Sequence, residues 1–270
     1  MTTPRSTSVE ERPYDRLFLD LDGTVYLDGV PIGPVVRQLN ELRARGVGLT
    51  VLTNNTSTSK RRYLEKLTGM GLDVTVEDIV SPAEVAAGYL RQHFGPAAAA
   101  YVLGTPELVE QLAEEGLRHD EDRPSHVLVG FDKTLTYARL ERACRLVQGG
   151  LPYYLTHIDL VCPTRDGPIP DCGLIAQVIE GTTGVAPRDH FGKPSEHMAR
   201  YLAGRGGDRP LLAGDRLYTD IALGERMGID TLLVFSGETR PEQVASSPVA
   251  PTHTAETLSA FLEERFGVGA

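Results

Sequence analysis

Two carboxylates, Asp20 and Asp22, stand two residues apart where an apolar run that begins at Leu17 gives way to Gly23 and Thr24. In an extended chain, residues i and i+2 point the same way, so the pair can face one phosphate and one divalent cation once Gly23 turns the backbone. One carboxylate can then attack phosphorus while the other handles the proton. An ordinary Asp-Gly turn after a strand has the same local look, and the pair alone does not separate the two readings.

Other segments supply what a phosphoryl-transfer site needs. The apolar run at 47–52 leads directly into Thr53, Asn54, Asn55 and Thr56, which offer a hydroxyl and amide donors to phosphate oxygens. Lys193 sits between Gly192 and Pro194 as an isolated ammonium at a turn. A further apolar run, Leu211 to Gly214, ends in Asp215, with Thr219 and Asp220 close behind.

These residues need a scaffold that brings distant positions together. Strand-like runs at 17–21, 47–52, 211–213 and 231–235 alternate with helical periodicity. Val35, Val36, Leu39 and Leu42 form one apolar face before Gly46, and Ile221, Leu223 and Met227 another before Gly228. The alternation predicts an α/β fold, a doubly wound parallel sheet covered by helices, in which ligands collect beyond the carboxyl ends of the strands. Asp20, Thr53 and Asp215 each fall where a strand should finish. Between Thr53 and Lys193 the pattern predicts helices at 83–94, 137–147 and 174–184 and strands at 100–103, 126–129 and 153–156. So long a segment is not a loop. It predicts an inserted α/β domain at 82–186, on a core built from 1–81 and 187–270 in which 1–13 is a flexible tail.

In their order and spacing the segments resemble the haloacid-dehalogenase superfamily of phosphatases. Asp20-x-Asp22-Gly-Thr-Val is similar to its first motif, Thr53-Asn-Asn to its second, Lys193 to its third and Gly214-Asp215-x-x-x-Thr-Asp220 to its fourth. The likeness is closer to subfamily IIA, the branch with 4-nitrophenylphosphatase, NagD, phosphoglycolate phosphatase and pyridoxal phosphatase. Val129-Gly-Phe-Asp132, Pro170-Asp-Cys-Gly173 and Gly192-Lys-Pro194 match it too, and the motifs run from about residue 17 to 237. For the inserted segment the resemblance implies a cap of the C2 type.

The resemblance also implies roles. Asp20 would be the nucleophile that forms an aspartyl-phosphate, and would ligate magnesium together with Asp215 and the backbone carbonyl of Asp22. The Asp22 carboxyl would protonate the leaving group and later deprotonate water, which marks a phosphatase rather than a dehalogenase. Thr53 and the amides near Asn54 would hold phosphate oxygens, and Lys193 would neutralise another oxygen and the Asp20 charge. Asn55 contacts substrate or satisfies its own turn. Asp220 holds a metal-bound water, orients Lys193, or caps the following helix. Arg216 reaches the phosphate or forms an ion pair. In the cap, His157 and Asp159 are specificity candidates, with a purely structural pair as the other reading. Thr156-His-Ile-Asp159 departs from the Thr-Asn-x-Asp of several family members, so no relative's substrate preference transfers directly.

The expected activity is magnesium-dependent hydrolysis of small phosphate monoesters, sugar or polyol phosphates foremost, with 4-nitrophenyl phosphate as a surrogate. A phosphotransferase or mutase using the same aspartyl-phosphate, and a noncatalytic phosphate-binding scaffold, are the alternatives. Caps of this type often mediate homodimers in the branch, so a homodimer through the cap is also expected.

Composition sets outer limits. The 270 residues are 41% hydrophobic, enough for a substantial core. Lysine and arginine number 27 against 37 acidic residues, a formal charge of −10 that disfavours nucleic-acid binding and leaves anionic substrates to local cations. No apolar run approaches the roughly 20 residues needed to cross a bilayer. The opening residues lack an apolar secretory core, so no membrane partner is expected and the expected location is cytoplasmic. Cys144, Cys162 and Cys172 have neither zinc-ligand spacing nor a disulfide framework and read as reduced thiols, a Cys162–Cys172 pair being the conceivable exception. Lys60, Arg61 and Arg62 read as a solvated helix face.

Overall fold

The computed structural model describes residues 13–164 and 166–269, so the tail expected at 1–13 lies outside the described residues except for Pro13. Strand β1 (Arg16–Asp20) leads into a hairpin of β2 (Tyr26–Leu27) and β3 (Val30–Pro31). Helix α1 (Val35–Ala44), β4 (Gly48–Leu52), α2 (Lys60–Gly69) and β5 (Ile79–Val80) follow. The middle of the chain runs through α3 (Pro82–Phe94), β6 (Ala99–Leu103), α4 (Pro106–Glu114), β7 (Arg118–His119), β8 (His126–Val129), α5 (Tyr137–Gln148) and β9 (Tyr153–Leu155). A hairpin of β10 (Val161–Cys162) and β11 (Ile169–Pro170) precedes α6 (Cys172–Thr183) and α7 (Glu196–Ala203). The chain then returns through β12 (Pro210–Gly214), a π-helical turn (Leu217–Ile221), α8 (Ala222–Met227), β13 (Asp230–Val234), α9 (Pro241–Val244), β14 (His253–Ala255) and α10 (Leu258–Phe266).

Two parallel sheets organise these elements. The larger has the order β14-β13-β12-β1-β4-β5, and the smaller, β7-β6-β8-β9, comes entirely from the middle of the chain. In β1, alternate side chains serve opposite faces, as the period of two requires. Leu17 and Leu19 pack with Val35, Leu39, Leu42, Leu67 and Leu262, from α1, α2 and α10. Phe18 packs with Leu90, Met198, Leu202 and Leu223, from α3, α7 and α8. Helices therefore cover both faces, as the doubly wound expectation held. The second cluster also takes in Ala100, Val102, Leu128 and Tyr154, so α3 and its neighbours join the two sheets by continuous apolar packing.

Where the chain reverses its direction of winding, β1 lies between β4 and β12. Its register with them sets Asp20 opposite Leu52 and Leu19 opposite Ala213. Thr53 and Asp215 therefore emerge one step beyond Asp20 on either side, at the crevice where open α/β sheets bind ligands. Short elements without a periodic signature, β2–β3, β10–β11, β5 and β14, are additions to the expected pattern, because two- or three-residue strands carry too few alternations to read.

Candidate active site

A pocket of about 330 Å³ opens at this crevice and is lined by residues at and beyond the strand ends of the larger sheet and by loops of the middle segment, among them Asp20, Asp22, Thr53, Lys193 and Asp159. Asp20 ends β1, and Lys193 reaches it from the connection before α7. The lysine ammonium bonds Asp20 Oδ1 and, at 2.6 Å, Asp220 Oδ1. Burial alone would push the Lys193 pKa down, but the Asp20 and Asp220 carboxylates hold it above its ordinary value. The ammonium is a fixed positive charge, and it leaves Asp20 pointed into the pocket.

Asp22 stands on the solvent-facing wall, crowded by protein on its other sides. Burial raises its carboxyl above the usual range, against the pull of Lys66 and of a hydrogen bond donated by the Tyr26 hydroxyl at 3.1 Å. A carboxyl raised in this way is suited to hold and give up a proton. Gly23 turns the chain at φ +84°, and a Cβ there would come within 2.6 Å of Asp215 Oδ2, so the turn requires glycine for both conformation and space.

The buried Asp215 emerges from β12. Its Oδ2 accepts the Glu238 N–H at 2.7 Å, whereas its Oδ1 is buried without a hydrogen-bond partner. Carboxylate oxygens of Asp20, Asp215 and Asp220 lie within 4.8 Å of one another. Burial, with the neighbouring Asp220, pushes Asp215 up to about 7, and burial raises Asp20 well above its ordinary value despite Lys193. Three crowded carboxylates, one with an orphaned oxygen, make a hard-oxygen set short of positive charge. That donor chemistry fits a divalent cation such as magnesium. Asp20 and Asp215 would hold it, with the Asp22 main chain alongside.

The family model for haloacid dehalogenase-like hydrolases matches residues 17–118, and a second, HAD-hydrolase-like model matches residues 190–261. The acid sugar phosphatase of Staphylococcus aureus is 32% identical over 94% of this chain and 98% of its own length. Among solved structures, the 4-nitrophenylphosphatase of Thermotoga maritima superposes with a TM-score of 0.87 at 36% identity, covering 93% of this chain and 97% of that one. The glycerol phosphate phosphatase of Mycobacterium tuberculosis, in complex with magnesium, gives 0.85 at 31%, covering 92% and 76%. This chain belongs to the haloacid dehalogenase family.

Within it, the protein falls in the NagD-like branch, subfamily IIA, and is a phosphoric monoester hydrolase. The remaining residues of this haloacid dehalogenase phosphatase take definite places. Thr53 lines the pocket; its hydroxyl accepts the Asn55 N–H at 3.1 Å and lies 3.3 Å from the Tyr63 hydroxyl. The Asn55 side chain satisfies its turn, its Oδ1 accepting from the Ser57 N–H and hydroxyl at 2.8 Å. The Asn54 amide binds main chain at Lys193 and the Asp159 carboxylate, not open space. Asp220 serves one of its expected uses, orienting Lys193; its other oxygen accepts the N–H of the preceding Arg216 at 3.1 Å, and the following helix α8 has no side-chain cap.

The two cap candidates separate. His157 is fully buried and both ring nitrogens are engaged, Nδ1 with the Thr156 hydroxyl at 2.9 Å and Nε2 with Asp171 at 2.8 Å. Such a side chain has nothing left to offer a substrate. Asp159 does reach the pocket wall, but its oxygens are held by Asn54 at 2.7 Å and by Arg216 at 3.0 Å. Arg216 also lines the pocket and pairs with Glu238 at 2.9 Å, so both of its ion pairs border the site. Lys60 corrects the solvated-face reading: it is paired with the buried Glu84 at 3.0 Å, while Arg61 and Arg62 are exposed. All three cysteines are free. Among the described residues no helix is long and apolar enough to cross a membrane.

Sequence reasoning missed Tyr26, Gly237 and Lys66. Tyr26 directly follows the first motif, a usable signal. A Cβ at Gly237 would meet Asp215 Oδ2 at 2.0 Å, a constraint no local pattern announces.

Proposed function

We propose that the protein hydrolyses small phosphate monoesters, sugar and polyol phosphates foremost, in two displacements through an aspartyl-phosphate on Asp20, and that residues 82–186 act as the inserted cap. The observation that carries the reading is the Asp20 carboxylate held by the Lys193 ammonium at the floor of a pocket on whose wall Asp22 stands. The names of the relatives, an acid sugar phosphatase and a glycerol phosphate phosphatase, support the substrate class.

In the first displacement an Asp20 oxygen attacks phosphorus, the bond from phosphorus to the ester oxygen breaks, and Asp22 gives its proton to the departing oxygen. In the second, water attacks the same phosphorus while Asp22 takes its proton, and the bond to Asp20 breaks to release orthophosphate. Lys193 balances charge on Asp20 throughout, and the loop from Thr53 to Asn55 borders the phosphoryl oxygens. Bound magnesium supplies positive charge that lowers repulsion between a carboxylate and the transferring group.

Phosphate release from a panel of sugar, polyol and 4-nitrophenyl phosphates, with and without magnesium, tests the reading. Asp20→Asn should abolish release while circular dichroism stays native. Metal-dependent release by that variant would reject the nucleophile, and phosphate handed only to added acceptors would favour the phosphotransferase.

A further inference from the structure

Two lysines at the mouth of the pocket are not used by the two displacements. Lys66, on α2, holds its ammonium 3.6 Å from the centroid of the Tyr26 ring and lines the pocket from the side of the larger sheet. Lys133 lines it from the side of the smaller sheet, on the loop between β8 and α5. That loop is held in place by buried Asp132, which accepts from the Thr134 N–H at 2.8 Å and hydroxyl at 2.7 Å and pairs with Arg139 at 2.7 Å.

The other buried charges of the pocket close on themselves. Lys193 pairs with Asp20 and Asp220, Arg216 with Asp159 and Glu238, and Asp171 with His157. Among the described residues, no carboxylate lies within 4.0 Å of the ammonium of Lys66 or Lys133. Asp22 and Asp28 attract Lys66 from further off, and Asp22 has its own proton to manage. Two ammonium groups without a carboxylate in direct contact thus line one pocket, one on α2 and one on the loop after β8, in a chain whose net charge is −10.

We propose that Lys66 and Lys133 form a subsite for a second anionic group on the alcohol part of the ester, so that the preferred substrates carry a carboxylate or a second phosphate besides the one removed. This rests on the phosphatase reading above. A second anion there would pair with both lysines at once and fill the charge deficit. Because Lys66 sits on α2 and Lys133 on the cap loop, one ligand would tie the two walls together.

Matched esters test it with magnesium present: 3-phosphoglycerate against glycerol 3-phosphate for a carboxylate, and fructose 1,6-bisphosphate against fructose 6-phosphate for a second phosphate. The wild-type ratio of kcat/KM should favour the doubly anionic member of at least one pair by about tenfold, the size of one charge-assisted hydrogen bond, and should shrink as salt is raised. Whichever pair shows it identifies the anion. Lys66→Gln and Lys133→Gln should each cut that ratio several-fold, chiefly through KM, and Lys66→Arg should keep it. Lys133 is exposed, so its variant keeps the test valid even if loss of the Lys66–Tyr26 contact disturbs folding. Ratios near one in the wild type, or unchanged in both glutamine variants, would overturn the subsite and leave the phosphatase reading intact. No phosphate release from any ester, 4-nitrophenyl phosphate included, would overturn both.

Discussion

The side-chain amide of Asn54 grips the main chain of Lys193 from both ends: Oδ1 accepts the lysine N–H at 2.8 Å and Nδ2 donates to its carbonyl at 3.1 Å. The same Nδ2 donates to Asp159 in the cap at 2.7 Å. One buried amide therefore registers the loop after β4, the lysine that charges Asp20, and the cap.

Asn54→Ala should lower kcat by about tenfold or more, because an ångström of drift in the lysine weakens a positioned charge. It should also cost about 2 to 4 kcal/mol of stability by stranding buried main-chain groups. Steady-state kinetics and urea unfolding measure the two effects. A variant with wild-type kcat would show that the Pro194 turn holds Lys193 without help.

Arg216 bridges Asp159, whose side chain is only 3% exposed, to Glu238 beside Asp215. Removing the guanidinium leaves the Asp159 carboxylate buried with Asn54 alone. Arg216→Ala should lose about 3 kcal/mol, the usual consequence of breaking one side of a buried pair, whereas Glu238→Gln, at the more exposed end, should lose less. Chemical denaturation of both variants checks the order.

Metal removal should be visible without turnover. The Asp215 oxygen that lacks a partner, and the burial that raises Asp20 and Asp215, both favour the cation-bound state. Magnesium at about 100 times its Kd should stabilise the protein by about 2.7 kcal/mol, read as a rise in Tm over an EDTA sample. Asp215→Asn should abolish that rise. An unchanged Tm response in the variant would place the cation elsewhere.

Acid sensitivity should come partly from His126, buried at the start of β8 against Phe94 of α3 and pushed down to about 4 by burial, with a smaller contribution from His93. Its Nε2 is buried without a partner. Between its unfolded value near 6.5 and about 4, the unfolded chain binds the proton and the native chain does not. Stability from this group is therefore complete above about pH 6.5 and falls as pH drops toward 4, by about 3 kcal/mol in all. His190, also lowered by burial, acts in the same direction. His126→Phe should flatten the unfolding free energy across that window. A wild-type slope in the variant would assign the sensitivity to other groups.

Much of this was legible along the chain. Near-continuous apolar runs over 17–21 and 47–52 announced buried parallel strands, and the helical faces before Gly46 and Gly228 announced their cover, because each pattern is local. Asp20, Asp22, Thr53, Lys193 and Asp215 were legible as chemistry because carboxylates, an ammonium and a hydroxyl at strand ends and turns are few in kind and strong in effect. What tertiary structure decided is who meets whom. The register of β1 with β4 and β12 puts Asp20 between Thr53 and Asp215, and the Asn54 amide finds its partner 139 residues away. Folding also turned His157 inward against Asp171 and brought Lys66 and Lys133 to one pocket. Those outcomes depend on which surfaces pack face to face, a property of the closed core that no window of neighbouring residues contains.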